Sequence, residues 1–176
     1  MKNLIFMFAA ILTLSCCSKD DDKPKTELDK LPPATQGGEN KIGCLLDGKA
    51  FIPNKELNST NCYYQFFNGG YYFHISFSKR DINNHQIGLA LNTNSLSINE
   101  GQTLSLKDNV LGNATGYYYY RFNSTFTDQV NIGELKITNL DTQNHIVSGT
   151  FWYNILDYEG NLHKITDGRF DFQYTN

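Results

Sequence analysis

Residues 62–77 read CYYQFFNGGYYFHISF, and this stretch predicts the fold of the chain. Two runs rich in Tyr and Phe flank the NGG sequence at 68–70, and a short Gly-containing interruption between two such runs is typical of a β-hairpin. A similar pattern lies just before it, where Asp-Gly at 47–48 separates residues 44–46 from 49–52. Asp-Gly is a strong signal for a two-residue hairpin turn because both positions accept positive φ.

Short alternating runs continue from this stretch to the C-terminus, interrupted by Gly, Asn and Asp. They predict further strands at residues 86–91, 103–106, 116–122, 131–138, 145–153 and 165–174. No segment after residue 40 has a helical pattern. The sequence therefore predicts a single all-β domain over 41–176, a meander-like antiparallel β-barrel or β-sandwich of about nine or ten strands, since both forms hide sheet edges.

Size, charge and hydropathy exclude several classes of protein. The 176 residues accommodate one compact domain, and 12 Phe, 11 Tyr and 1 Trp supply a large core. The net charge of -3 provides no basic surface for nucleic acid. No apolar run is long enough to cross a membrane as a helix, so any membrane attachment requires another device.

The N-terminus predicts secretion and lipid attachment. Lys2 and the apolar run 4–14 have the features of a secretory signal peptide, predicted here as residues 1–16. The following LTLSCC resembles a bacterial lipobox, in which Leu14 stands three places before Cys17. The alternative, Cys16, is a poorer match. The resemblance implies a diacylglyceryl thioether and an acylated amino terminus on the modified Cys, and several acyl chains hold a protein stably on a membrane.

Residues 17–40 predict a flexible tether that begins at the lipidated Cys, since charged residues, prolines and glycines dominate them. The run KDDD at 19–22 resembles the export signal of surface lipoproteins of Bacteroidetes. It implies display at the outer surface of the outer membrane, with the periplasmic face as the alternative.

Five segments resemble a family of small Bacteroidetes lipoproteins of uncharacterised function: LPPATQGGEN at 31–40, GCLLDGKAFIP at 43–53, GELKIT at 133–138, IVSGTF at 146–151 and TDGRFDF at 166–172. The resemblance covers nearly the whole mature chain. It implies an all-β fold and an envelope location, and no catalytic residues.

Cys44 and Cys62 are the thiols that remain after the signal peptide, and they enter an oxidising compartment. We therefore predict a disulfide between them, stabilising the fold by roughly 3 kcal/mol. A redox or metal pair is the alternative, but CxxC spacing is absent and no His is close in sequence.

The chain lacks the usual motifs of catalysis and metal binding. Its histidines are far apart in sequence and form no ligand pair: His74, His85, His145 and His163. Carboxylates near strand ends could form a glycosidase pair, although two carboxylates are expected by chance in a β-protein of this size; examples are Asp157, Glu159, Asp167 and Asp171. We expect no enzyme activity, no cofactor and no metal, with a small hydrolase as a remote alternative.

Aromatic residues are the remaining functional signal. Alternation along YYYY at 117–120 directs Tyr118 and Tyr120 to the core, on the same face as Phe122, and directs Tyr117 and Tyr119 outward. In a later strand, Val147, Phe151 and Tyr153 share a core face, which leaves Trp152 outside. Exposed rings of this kind stack on sugars or contact proteins, although Tyr is also common on hydrated sheet faces.

The sequence thus predicts a monomeric outer-membrane lipoprotein that binds a glycan, peptide or envelope component through Tyr117, Tyr119 and Trp152. The alternative is a structural or accessory lipoprotein whose partner is an outer-membrane protein. A concave aromatic strip would favour the first, and a flat exposed apolar patch the second.

Overall fold

The computed structural model describes residues 26–54 and 59–176, and the predictions for the signal peptide, Cys16, Cys17 and the run at 19–22 lie outside these residues. The described residues form β1 (Lys41–Leu46), β2 (Lys49–Phe51), β3 (Thr60–Phe67), β4 (Gly70–Arg80), β5 (Gln86–Thr93), β6 (Thr103–Leu106), β7 (Ala114–Tyr120), β8 (Asn123–Phe126), β9 (Gly133–Asp141), β10 (Ile146–Leu156) and β11 (Leu162–Gln173). A single 3-10 turn precedes them at Leu28–Lys30. Within the described residues no helix is long and apolar enough to cross a membrane.

The eleven strands form one sheet, which confirms the all-β prediction. Their order is β2-β1-β11-β10-β9-β6-β7-β5-β4-β3, and β8 pairs with β7. Every ladder is antiparallel except the contact of β6 with β7. The sheet departs from a meander because β6 is inserted between β9 and β7. The sequence analysis misses β8 because Asn-Ser-Thr-Phe carries no alternating apolar pattern.

The sheet is strongly curved but is not closed into a barrel. Its two ends are β2 and β3, and β3 meets the C-terminus only through an isolated bridge between Tyr63 and Thr175. The halves of the sheet face each other across one core, where Phe73 packs against Phe170 with ring centroids 6.0 Å apart. Phe77 approaches Phe151 at 6.2 Å in the same layer.

Alternation within the strands decides which side chains reach this core. On β10, Val147, Phe151 and Tyr153 are buried as predicted, and burial of each such side chain contributes about 1.5–3 kcal/mol. On β7, Tyr118 is buried, as the pattern predicts. Phe122 is 96% exposed, and its predicted place on the core face is wrong because β7 ends at Tyr120 and Phe122 lies in the turn to β8.

Residues 31–40 pack along the sheet, unlike the free coil predicted for the tether. Leu31 is buried, and the carboxylate of Asp171, itself 1% exposed, holds the segment. Asp171 accepts hydrogen bonds from the Thr35 hydroxyl (2.7 Å), the Gly37, Gly38 and Glu39 amides (3.0, 2.8 and 3.2 Å) and the Ser148 hydroxyl (2.8 Å). We call this cluster the Asp171 anchor point. It accounts for the sequence TQGGE, since Gly38 has a φ of 73°.

Cys44 and Cys62 are free thiols, so the predicted disulfide between them is not formed. Cys44 lies in the bulge of β1 directly after Gly43, which is paired with Arg169 of β11, whereas the carbonyl of Cys62 accepts a hydrogen bond from the Thr175 amide. Arg169 and Thr175 are separated by six residues of extended chain, about 20 Å. A disulfide requires Cα atoms within about 7 Å, so proximity in sequence is not proximity in the sheet.

Candidate functional site

A concave surface lies on the outer face of β3, β4, β5, β7 and β8, with a volume of about 440 Å³. We call it the tyrosine groove. Two rows of paired residues cross it. One runs from Ser76 through Ala90 to Tyr117, and the other from Ser78 through Gly88 to Tyr119. The depression exists because the outward positions of β4 and β5 carry small side chains while those of β7 carry large rings.

Gly88 lies at the floor of this groove. A Cβ at Gly88 would lie 3.5 Å from the Ser78 Cβ and 3.8 Å from the Tyr119 Cβ, which are ordinary contacts. The floor therefore accepts a methyl group, and any larger side chain at this position would project into the groove.

Aromatic rings form one wall. Tyr117 packs against Phe126 of β8 with ring centroids 5.1 Å apart, and the register places Tyr119 opposite Ser124. Tyr117 and Tyr119 are both half-buried, so part of each ring is open to a ligand. The structure thus brings the two predicted tyrosines together in one groove.

A histidine and an amide line one end of the groove, where His74 of β4 pairs with Asn92 of β5 in the row next to Ser76 and Ala90. The Asn92 side-chain oxygen lies 2.5 Å from Nδ1 of His74, and the Ser76 hydroxyl lies 3.0 Å from Nε2. Burial lowers the pKa of His74, so the ring is neutral near pH 7. An amide oxygen only accepts, so Nδ1 carries the proton and Nε2 accepts from Ser76. The ring also stacks on Tyr63 at 4.8 Å.

The residues lining the tyrosine groove include no Asp, Glu, Lys or Arg. Its chemistry consists of hydroxyls, amides, a neutral imidazole and aromatic faces. Such a surface suits an uncharged polar molecule that has one flat apolar face, because rings cover that face while hydroxyls and amides satisfy its edges.

Trp152 does not share this groove. It is 38% exposed and lies in a second groove, beside Glu134, whose carboxylate accepts a hydrogen bond from the indole Nε1 at 3.2 Å. The separation arises because β9 and β6 lie between β10 and β7 in the sheet. Conversely, sequence reasoning missed His74, Asn92 and Phe126, which only the strand pairing brings into the same groove as Tyr117.

The carboxylates considered for catalysis have structural roles or stand apart. The Asp171 carboxylate accepts hydrogen bonds from residues 35–39 and from Ser148. Asp157 accepts hydrogen bonds from the Glu159 and Asn161 amides at 2.8 Å each, and these bonds close the β10–β11 turn. Asp167 lines the groove of Trp152. Among residues 26–54 and 59–176, no group of three or more His, Cys, Asp or Glu side chains is arranged to hold a metal ion.

Comparisons of the chain with protein-family models, with curated proteins and with solved structures find no match. The two grooves are therefore the features of the molecule from which a function is inferred.

Proposed function

We propose that this protein is a lipid-anchored outer-membrane protein that binds a neutral glycan in the tyrosine groove and catalyses no reaction. The main supporting observation is the lining of this groove. Ser76, Gly88 and Ala90 form its floor, Tyr117 and Tyr119 form one wall, and none of the lining residues is charged. A pyranose ring offers the matching chemistry, because it has an apolar C–H face for the rings and hydroxyls at its edges for His74 and Asn92.

The position of the protein in the envelope is part of the same proposal. Attachment of the protein to the membrane depends on a lipid at Cys17, with Cys16 as the alternative site. Display at the cell surface depends on the run at 19–22, and the alternative location is the periplasmic face of the outer membrane. These assignments are supported by the lipobox-like and export-like sequences. The protein acts as a monomer that presents one ligand-binding domain.

The test is a screen of the purified chain against neutral oligosaccharides, followed by calorimetric titration of the hits. Tyr117→Ala and Tyr119→Ala should each lower affinity about fivefold, the loss expected for one stacked ring. Tyr158→Ala is the matched control, since this exposed tyrosine lies in the β10–β11 turn outside the groove. Equal affinity of all three variants, or the absence of any neutral glycan ligand, would reject the tyrosine groove as the site.

A second candidate function, an accessory role beside an outer-membrane protein, is favoured by one observation. The tip of the β3–β4 hairpin exposes Phe66 (64%) and Phe67 (59%) next to Tyr71, on the strand that ends the sheet. Exposed apolar residues beside a free strand edge are suited to a protein partner. In-cell crosslinking from position 67 to one envelope protein, lost in Phe66→Ser, would favour this role over glycan binding.

A further inference from the structure

We propose that the groove around Trp152 is a second binding site, for a sugar ring that carries a carboxylate or sulfate group. This tryptophan groove lies on the outer faces of β6, β9, β10 and β11 and has a volume of about 410 Å³. It differs from the tyrosine groove in position and in charge. The inference does not rest on the proposed function, because the two grooves share no residue.

The strand register lines up two cations across this groove. Thr150 of β10 is paired with Lys136 of β9 on one side and with Arg169 of β11 on the other. Because adjacent strands are about 4.8 Å apart, the Lys136 and Arg169 Cα atoms lie about 10 Å apart. Lys136 and Arg169 therefore lie on either side of the short Thr150 side chain. Two cations with a hydroxyl between them form a binding site for one anionic group.

Both cations are available to a ligand. The ion pairs formed within the described ranges, 26–54 and 59–176, include neither Lys136 nor Arg169. Glu134, two residues before Lys136 on the same face of β9, accepts a hydrogen bond from the indole of Trp152 at 3.2 Å. Arg169 donates from Nε to the main-chain oxygen of Asp167 at 3.3 Å, which leaves its terminal nitrogens free to reach an anion.

Trp152 supplies the apolar surface next to this anion-binding site. It follows Thr150 by two residues on the same face of β10, about 6.8 Å along the strand. The hydrogen bond to Glu134 fixes the orientation of the indole. A sugar ring stacked on the indole would extend its carboxylate or sulfate towards Lys136 and Arg169, so the spacing matches one charged pyranose.

The charge balance of the groove selects among anions. Lys136 and Arg169 are offset by Glu134 and Asp167, all of which line the groove. A polyphosphate chain would meet these two carboxylates and be repelled, whereas a ring with a single anionic group meets only the cations. The arrangement therefore favours acidic sugars over nucleic acid.

The experiment uses the mature full-length chain and the fact that Trp152 is its only tryptophan. The probes are a galactose trisaccharide in which a single galacturonate replaces one galactose, the galactose trisaccharide with a single sulfate, and the neutral galactose trisaccharide, and binding is followed by Trp emission. We expect a saturable change in emission with one or both acidic probes, which identifies carboxylate or sulfate as the preferred group. Affinity should be weaker at 0.5 M than at 0.1 M NaCl, because the Debye length shortens from about 10 Å to about 4 Å. The neutral probe should leave the emission unchanged.

Lys136→Gln and Arg169→Gln should each weaken binding of the acidic probe about tenfold, because each removes one charge-assisted contact. Lys107→Gln is the matched control, an exposed lysine just beyond β6 and outside the groove. Tyr119→Ala should also leave this binding unchanged, which separates the outcome from that of the tyrosine groove. Unchanged emission with both acidic probes, equal binding of the neutral sugar or of tri-glutamate, or an equal effect of Lys107→Gln would overturn the proposal.

Discussion

At the scale of single residues, Asp171 shows how one side chain organises a segment far away in sequence. Burial opposes ionisation of its carboxyl, but the hydrogen bonds from Thr35, Gly38 and Ser148 outweigh that effect and lower its pKa. A carboxylate that receives this many donors is stabilised in its charged form. The Asp171 anchor point therefore joins residues 31–40 to β11 by electrostatics as well as by packing.

Replacing Asp171 should destabilise the protein in a pH-dependent manner. Asp171→Ala leaves several buried donors without an acceptor and should cost about 3–5 kcal/mol of unfolding free energy at pH 7. Because the folded pKa lies below the unfolded value of about 3.9, the wild-type contribution is complete above that value and is lost as pH falls through the folded pKa.

Chemical denaturation at pH 7 and pH 3 measures both effects. The loss of stability on acidification should be smaller in Asp171→Asn than in the wild type, and Ser148→Ala, which removes one donor, should show an intermediate cost. An identical pH dependence in wild type and Asp171→Asn would argue against the anchor point as the acid-sensitive group.

The two buried cysteines lead to a second prediction at this scale. Burial raises the pKa of both thiols, that of Cys62 to about 12, so neither forms a reactive thiolate at pH 8. Labelling of the mature chain with a thiol reagent should be negligible in the native state and should reach both Cys44 and Cys62 in denaturant without reductant. A denatured chain that remains unlabelled would contain the disulfide instead.

At the scale of elements, the tyrosine groove arises from the contrast between neighbouring strands. In the two rows that cross the groove, the outward positions of β4 and β5 carry Ser, Gly and Ala, and those of β7 carry Tyr, so the depth of the groove is a property of paired strands and not of one residue. Substitutions in its floor should change binding without touching the core on the other face.

Gly88 provides this test. Gly88→Ala adds a methyl group at ordinary contact distance and should preserve both stability and glycan affinity. Gly88→Tyr projects a ring into the groove and should reduce affinity by more than about 100-fold, equivalent to about 2.8 kcal/mol, by occupying the space of the ligand. Calorimetric titration of both variants compares them directly. Undiminished affinity in Gly88→Tyr would place the ligand elsewhere.

At the scale of the whole molecule, the sheet bends around one core and leaves both grooves on its outer surface. The described chain begins beside the β1–β2 hairpin, where Glu27 accepts a hydrogen bond from the Ala50 amide. Residues 31–40 then continue along the sheet to Asp171. Residues 31–40 are therefore part of the folded domain, and eight residues of sequence, 18–25, lie between Thr26 and the proposed lipidation site at Cys17.

Membrane attachment should depend on Cys17. Cys17→Ser should release the protein from the membrane fraction, because it removes the thiol that carries the lipid, whereas the matched control Cys16→Ser should leave it attached. Mass spectrometry of the mature N-terminus reports the modified residue. An acylated Cys16, or an unmodified first residue, would contradict the assignment to Cys17.

Replacing residues 19–22 with Ala should reduce protease accessibility on intact cells if that run directs surface display.

The sequence by itself determined the all-β class, most strand positions and the inward or outward direction of Tyr118, Trp152 and Tyr153. These properties are local, since a strand places alternate residues on opposite faces whatever its neighbours are. The structure alone decided the strand order and register, because pairing depends on contacts between residues distant in sequence. That pairing separates Trp152 from Tyr117, keeps Cys44 from Cys62 and docks residues 31–40 on Asp171.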